Sequence, residues 1–143
     1  RVVRSDIIGM KRLGAEVVIV SPPPLLPREI ERYNVRVEFD LEKAIRGADV
    51  VMALRLQLER QKKGLFPSQR EYNQFFGLKL EHLKLTKKDV LIMHPGPMNR
   101  GVEIISELAD SGVSIISEQV TNGVAVRMAL LYFLSGGSHE IIN

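Results

Sequence analysis

Glu16-Val17-Val18-Ile19-Val20-Ser21-Pro22-Pro23-Pro24 is a β-branched run halted by three prolines. The run is too continuously apolar for a strand with one wet face, and the prolines can continue neither a helix nor an inner strand. The stretch therefore reads as a buried strand that ends in a loop. Before it, Val2, Val3, Ile7, Ile8, Met10 and Leu13 recur at near-helical spacing and close on Gly14, which predicts a first helix. After it the alternation repeats: a helix near Pro27 to Tyr33, strand Arg36 to Phe39, helix Leu41 to Arg46, strand Asp49 to Leu54, strand Val90 to His94, helix Glu103 to Asp110, strand Ser114 to Glu118, and a last helix from Gly123 to Leu134. Parallel neighbours need crossovers, and right-handed crossovers cover the sheet. The pattern predicts an α/β fold: a three-layer, doubly wound, Rossmann-like parallel sheet of about five strands.

With 143 residues, 45% of them hydrophobic, the chain has the size and composition of one domain able to bury a core. It contains no cysteine, which excludes disulfides, thiolate metal sites and a cysteine nucleophile and is compatible with a reducing cytoplasm, the expected location. The net charge is +3, and the basic pairs Lys11-Arg12, Lys62-Lys63 and Lys87-Lys88 are scattered among acids, so no nucleic-acid partner is expected. Neither is a membrane, because no apolar run approaches the roughly 20 residues of a span. His82, His94 and His139 lack ligand spacing, and Gly136-Gly137 follows a helix instead of joining strand to helix. The expectation is no metal and no cofactor. The chain opens at Arg1 directly into a helix, without an initiator methionine, and is expected to be a piece of a longer polypeptide.

In open parallel sheets ligands bind beyond the carboxyl ends of the strands. Arg55 follows directly on the strand Val50-Val51-Met52-Ala53-Leu54, where a guanidinium can grip a carboxylate in a fixed plane. An ion pair with Glu59, one helical turn on, explains it as readily. Gln57 is either a second ligand contact or a solvated residue. In His94-Pro95-Gly96-Pro97, two prolines around a glycine make a stiff turn whose carbonyls could orient an amine, while His94 itself reads equally as a hydrogen-bonded core residue. Gln119 to Gly123 is expected to open the last helix with Asn122 as its N-cap. The long connection from Leu56 to Asp89, with a helical piece at Gln69 to Phe76, has the length of a functional or mobile loop.

Together, Arg55-x-Gln57-x-Glu59-Arg60, then His94-Pro95-Gly96-Pro97-Met98-Asn99-Arg100-Gly101-Val102-Glu103-Ile104, then Asn122-Gly123-Val124-Ala125-Val126-Arg127 resemble the aspartate carbamoyltransferase family in order and spacing. Arg1-Val2-Val3-Arg4-Ser5 resembles the helix after that family's domain junction, so the likeness runs to about Gly137. The resemblance implies an L-aspartate-binding domain at residues 1–137 and a tail at 138–143. It implies substrate carboxylates held by Arg1, Arg55 and Gln57, and backbone contacts to carbamoyl phosphate from Pro95, Gly96 and Pro97. Family members often carry leucine where this chain has Gly96. The carbamoyl phosphate domain, with its own phosphate-binding motif, precedes this region in the family, so no catalytic group is expected within this chain alone. The implied reaction is pyrimidine-pathway transfer of a carbamoyl group to L-aspartate in a homotrimer, with a regulatory chain or a dihydroorotase as further partners.

Two other readings compete. Ornithine carbamoyltransferases share the fold but resemble His-Cys-Leu-Pro at the turn, and this chain has no cysteine. A non-catalytic docking module is the second; it would not need Arg55, Gln57 and the proline turn at adjacent strand ends.

Overall fold

The computed structural model describes residues 2–57 and 68–136. Arg1, Glu59, Arg60 and the tail at 138–143 lie outside the described residues. Helix α1, Val2–Arg12, forms where the periodicity predicts it and is turned out by Gly14 at φ +83°. Its last turn is anchored by Lys11, whose Nζ donates to the carbonyls of Tyr33 at 2.9 Å and Asn34 at 2.6 Å. Ile7 is its one buried residue, and Val2, Ile8 and Met10 are exposed.

Strands β1 (Val18–Val20) and β2 (Arg36–Glu38) pair in parallel, with Val18 opposite Arg36. The expected burial of β1 is not found. All three of its residues are half-buried: helix α2 (Leu41–Ile45) packs on β1, but among the described residues the strand is paired along one edge, with β2. Between these strands the expected helix near Pro27 is a single 3₁₀ turn, Ile30–Tyr33, bounded by left-handed backbone at Glu29 and Asn34. Helix α2 starts where Asp40 accepts the Lys43 N–H at 3.1 Å.

Strands β3 (Val50–Met52) and β4 (Leu91–Met93) form a second parallel ladder, with Met52 opposite Met93. Helix α3, Gln69–Phe76, lies in the connection between them and is capped by the Ser68 hydroxyl. The expected fifth strand shrinks to one bridge, Ile92 to Ser114, flanked by Ile92 N–H to Val113 O and Ile115 N–H to Ile92 O, both 3.0 Å. Helix α4 is likewise shorter than expected, Ser106–Ala109, because Ile104 bridges to Leu78 and stays extended.

The α/β class with parallel strands holds, as four strands in two ladders among the described residues. Leu78, Val90, Ile92, Ile104, Leu108 and Ile116 belong to one core cluster. Helix α5, Ile116–Leu134, takes over the residues expected to finish the fifth strand, since Ile116 buries into that cluster. Beyond its first turn the helix is exposed, including Val124, Met128 and Leu131. No described helix is long and apolar enough to cross a membrane.

Candidate functional site

Because β3 and β4 run parallel and in register, the segments leaving their carboxyl ends emerge at the same end of the molecule. After β3 come buried Ala53, half-buried Arg55, buried Leu56 and exposed Gln57. After β4 comes His94, 0% exposed, and then the proline turn. The two segments touch: Asn99 Nδ2 donates to the Leu56 carbonyl, between Arg55 and Gln57, at 3.0 Å. Helix α5 is fastened to the same end, because Gln119 Oε1 accepts the His94 N–H at 2.8 Å while its Nε2 lies 3.7 Å from Met52 Sδ.

His94 organises the turn. The Gly96 N–H donates to His94 Nδ1 at 2.9 Å, so that nitrogen is the acceptor and the ring proton sits on Nε2, which donates to Glu103 Oε1 at 3.2 Å. The plainer reading of His94, a hydrogen-bonded core residue, is the one the geometry bears out. Gly96 has φ +66°, a conformation that disfavours any side chain, and the Gly96–Pro97 peptide is cis.

Glu103 is 2% exposed and its Oε1 also accepts the Asn99 N–H at 2.6 Å. Burial pushes its carboxyl up, but the hydrogen bonds from His94 and the Asn99 amide outweigh that and hold it below the usual carboxylate range. Glu103 Oε2 has no hydrogen-bond partner among the described residues. Burial, with the Glu103 charge second, pushes the Tyr72 phenol of α3 up to about 12.

Pro95, Gly96 and Pro97 share one open groove with Met98, Ile116, Ser117 and Val120, mostly apolar. Arg55 and Gln57 stand on the neighbouring segment and are not among its walls. Arg1 falls outside the described residues. Asn122 is corrected: it lies exposed inside α5, whose N-cap is Ile115, so it caps nothing. Glu103, Asn99 and Gln119 carry the site's internal bonding although the sequence pattern gives them no role. A signal existed for Glu103, an acid inside the apolar run Val102-Glu103-Ile104. An acid so placed needs a buried partner.

Residues 1–134 match the family described as aspartate/ornithine carbamoyltransferase, Asp/Orn binding domain. The aspartate carbamoyltransferase catalytic subunit of Desulfitobacterium hafniense is 60% identical over 137 residues, 96% of this chain and 44% of its own length. That of Desulforamulus reducens is 55% identical over 143 residues, 100% of this chain and 46% of its own. The chain thus spans just under half the length of these curated relatives. Among solved structures, ornithine carbamoyltransferase from Thermus thermophilus superposes with a TM-score of 0.77 over 92% of this chain and 44% of its own, at 22% identity, a likeness of fold.

Proposed function

The chain belongs to the aspartate/ornithine carbamoyltransferase family through its Asp/Orn-binding domain, and from that premise we propose that it is the L-aspartate-binding half of an aspartate carbamoyltransferase. Residues 1–137 form that domain and 138–143 a tail. Arg55 and Gln57, with Arg1, hold the two carboxylates of aspartate; a dianion suits two guanidiniums. Carbonyls of the Pro95-Gly96-Pro97 turn aim the amine at the carbamoyl carbon. The N–C bond forms, the C–O bond to phosphate breaks from a tetrahedral intermediate, and the proton lost by the amine leaves on the departing phosphate. Catalysis rests on holding two substrates in register, without metal or cofactor. Carbamoyl phosphate is held chiefly by a preceding domain, in a cytoplasmic homotrimer that serves pyrimidine synthesis.

The observation that carries this reading is the joining of the Arg55-x-Gln57 segment to the proline turn at the ends of adjacent parallel strands, through Asn99 and the Leu56 carbonyl. The exposed apolar length of α5 agrees with a surface that a longer polypeptide covers. Aspartate rather than ornithine is favoured by the names of relatives at 55 and 60% identity.

The test replaces the matching segment of the D. hafniense subunit by this chain and measures carbamoyl aspartate formation. Turnover is expected in the chimera, and none from the isolated chain. Arg55→Ala in the chimera raises the aspartate KM by about 100-fold, the loss of a charge-assisted bidentate contact. Unchanged aspartate dependence would dispose of the assignment.

A further inference from the structure

We infer that Asn99 is a positioning residue, held by Glu103, that sets the spacing between the aspartate-gripping segment and the proline turn. The inference rests on the proposed aspartate site and adds to it a residue outside the substrate-contacting motifs. It stands on a continuous run of hydrogen bonds. The Gly96 N–H meets His94 Nδ1 at 2.9 Å, His94 Nε2 meets Glu103 Oε1 at 3.2 Å, the same oxygen takes the Asn99 N–H at 2.6 Å, and Asn99 Nδ2 reaches the Leu56 carbonyl at 3.0 Å. One end is the turn and the other is the peptide between Arg55 and Gln57.

Its middle members are out of water: His94 is 0% and Glu103 2% exposed. A single buried oxygen that receives two donors fixes both, and moving either costs a hydrogen bond in a medium that offers no replacement. Gln119 adds a brace, accepting the His94 N–H. The separation between the arginine segment and the turn is therefore set by the protein interior before any substrate arrives. That is the condition positional catalysis needs, since a misplacement of about 1 Å can cost about 100-fold in rate.

Asn99 can be altered with little risk to the fold, because it is half-buried at a loop and its own N–H remains to bond Glu103. In the chimera, Asn99→Ala and the isosteric Asn99→Asp both remove the donor to Leu56. Each is expected to raise the aspartate KM about tenfold and lower kcat severalfold, with the carbamoyl phosphate KM within about twofold of the parent. Asn99→Asp keeps the size of the side chain but adds a charge, so Asn99→Leu, uncharged and of similar size, is measured beside it: a role in packing alone would spare Asn99→Leu. Kinetics of any of these variants within about twofold of the parent, or equal rises in both KM values that follow a fall in Tm, overturn the inference. Arg55→Ala, measured beside them, separates the two levels. If it raises the aspartate KM while the Asn99 variants do not, the positioning role alone fails; if it too leaves that KM unchanged, the aspartate reading fails with it.

Discussion

Glu103→Ala in the isolated chain removes the one acceptor shared by the His94 Nε2–H and the Asn99 N–H. The His94 donor, fully buried, and the Asn99 N–H, part-buried, then lack their acceptor, at about 1–3 kcal/mol each. Part is returned, since the variant also deletes a buried carboxylate whose Oε2 has no partner among the described residues. The net expectation is a loss of about 3 kcal/mol, equivalent to a Tm lower by roughly 10 °C for a domain of this size. Glu103→Gln keeps an oxygen able to accept both donors and loses only the charge assistance, about 1–2 kcal/mol. Urea denaturation followed by circular dichroism measures both. The pH dependence carries a sign. Glu103 titrates lower in the fold than its ordinary 4.5, so its contribution is fully present above about pH 4.5 and is lost as pH falls through the depressed folded value. The gap between parent and Glu103→Gln is accordingly constant near neutrality and closes in acid. A cost below about 1 kcal/mol for Glu103→Ala, equal costs for both variants, or a gap that ignores acid would refute this account of the buried pair.

Tyr72, pushed up to about 12 chiefly by burial, should be a phenol among the chain's three that ionises late. Its neutral form stabilises the fold fully below its ordinary 10 and that contribution is lost as pH rises through about 12; phenolate absorbance should show a late step that Tyr72→Phe abolishes. Asn122→Ala should stabilise by about 0.5 kcal/mol, because alanine is the better residue inside a helix; a loss of about 1 kcal/mol in a thermal melt would restore Asn122 as a cap. Gly96→Ala should cost about 1–2 kcal/mol from backbone conformation, since its Cβ would meet only Val120 Cγ2 at 3.5 Å, an ordinary contact. A neutral change in the urea midpoint would contradict the positive φ.

Much of the chain was readable because its signals are local. The helical spacing from Val2 to Leu13 and the proline stop after Val20 depend on neighbours a few residues away, and helices α1, α2 and α3 lie within a residue or two of where the pattern puts them. The misreadings fall where packing chooses between two local options. Ser114 to Glu118 has the β-branched content of a strand, yet the helix starts at Ile116, which buries into the core. Glu103 to Ile105 looks helical and is held extended by pairing with Leu78.

By itself the amino-acid order determined the parallel α/β class, the strand ends at which the candidate site residues stand, and the family to which Arg55-x-Gln57 and His94-Pro95-Gly96-Pro97 point. All of these rest on periodicity and on residue types at fixed short spacing, which need no long-range contact to be read. Only the tertiary structure decided that Glu103 is the partner of His94, that Asn99 reaches the Leu56 carbonyl 43 positions away, and that Asn122 lies within a helix. Those outcomes depend on which buried donors and acceptors meet across the fold. A buried polar group must find a partner, but the local sequence does not say which one.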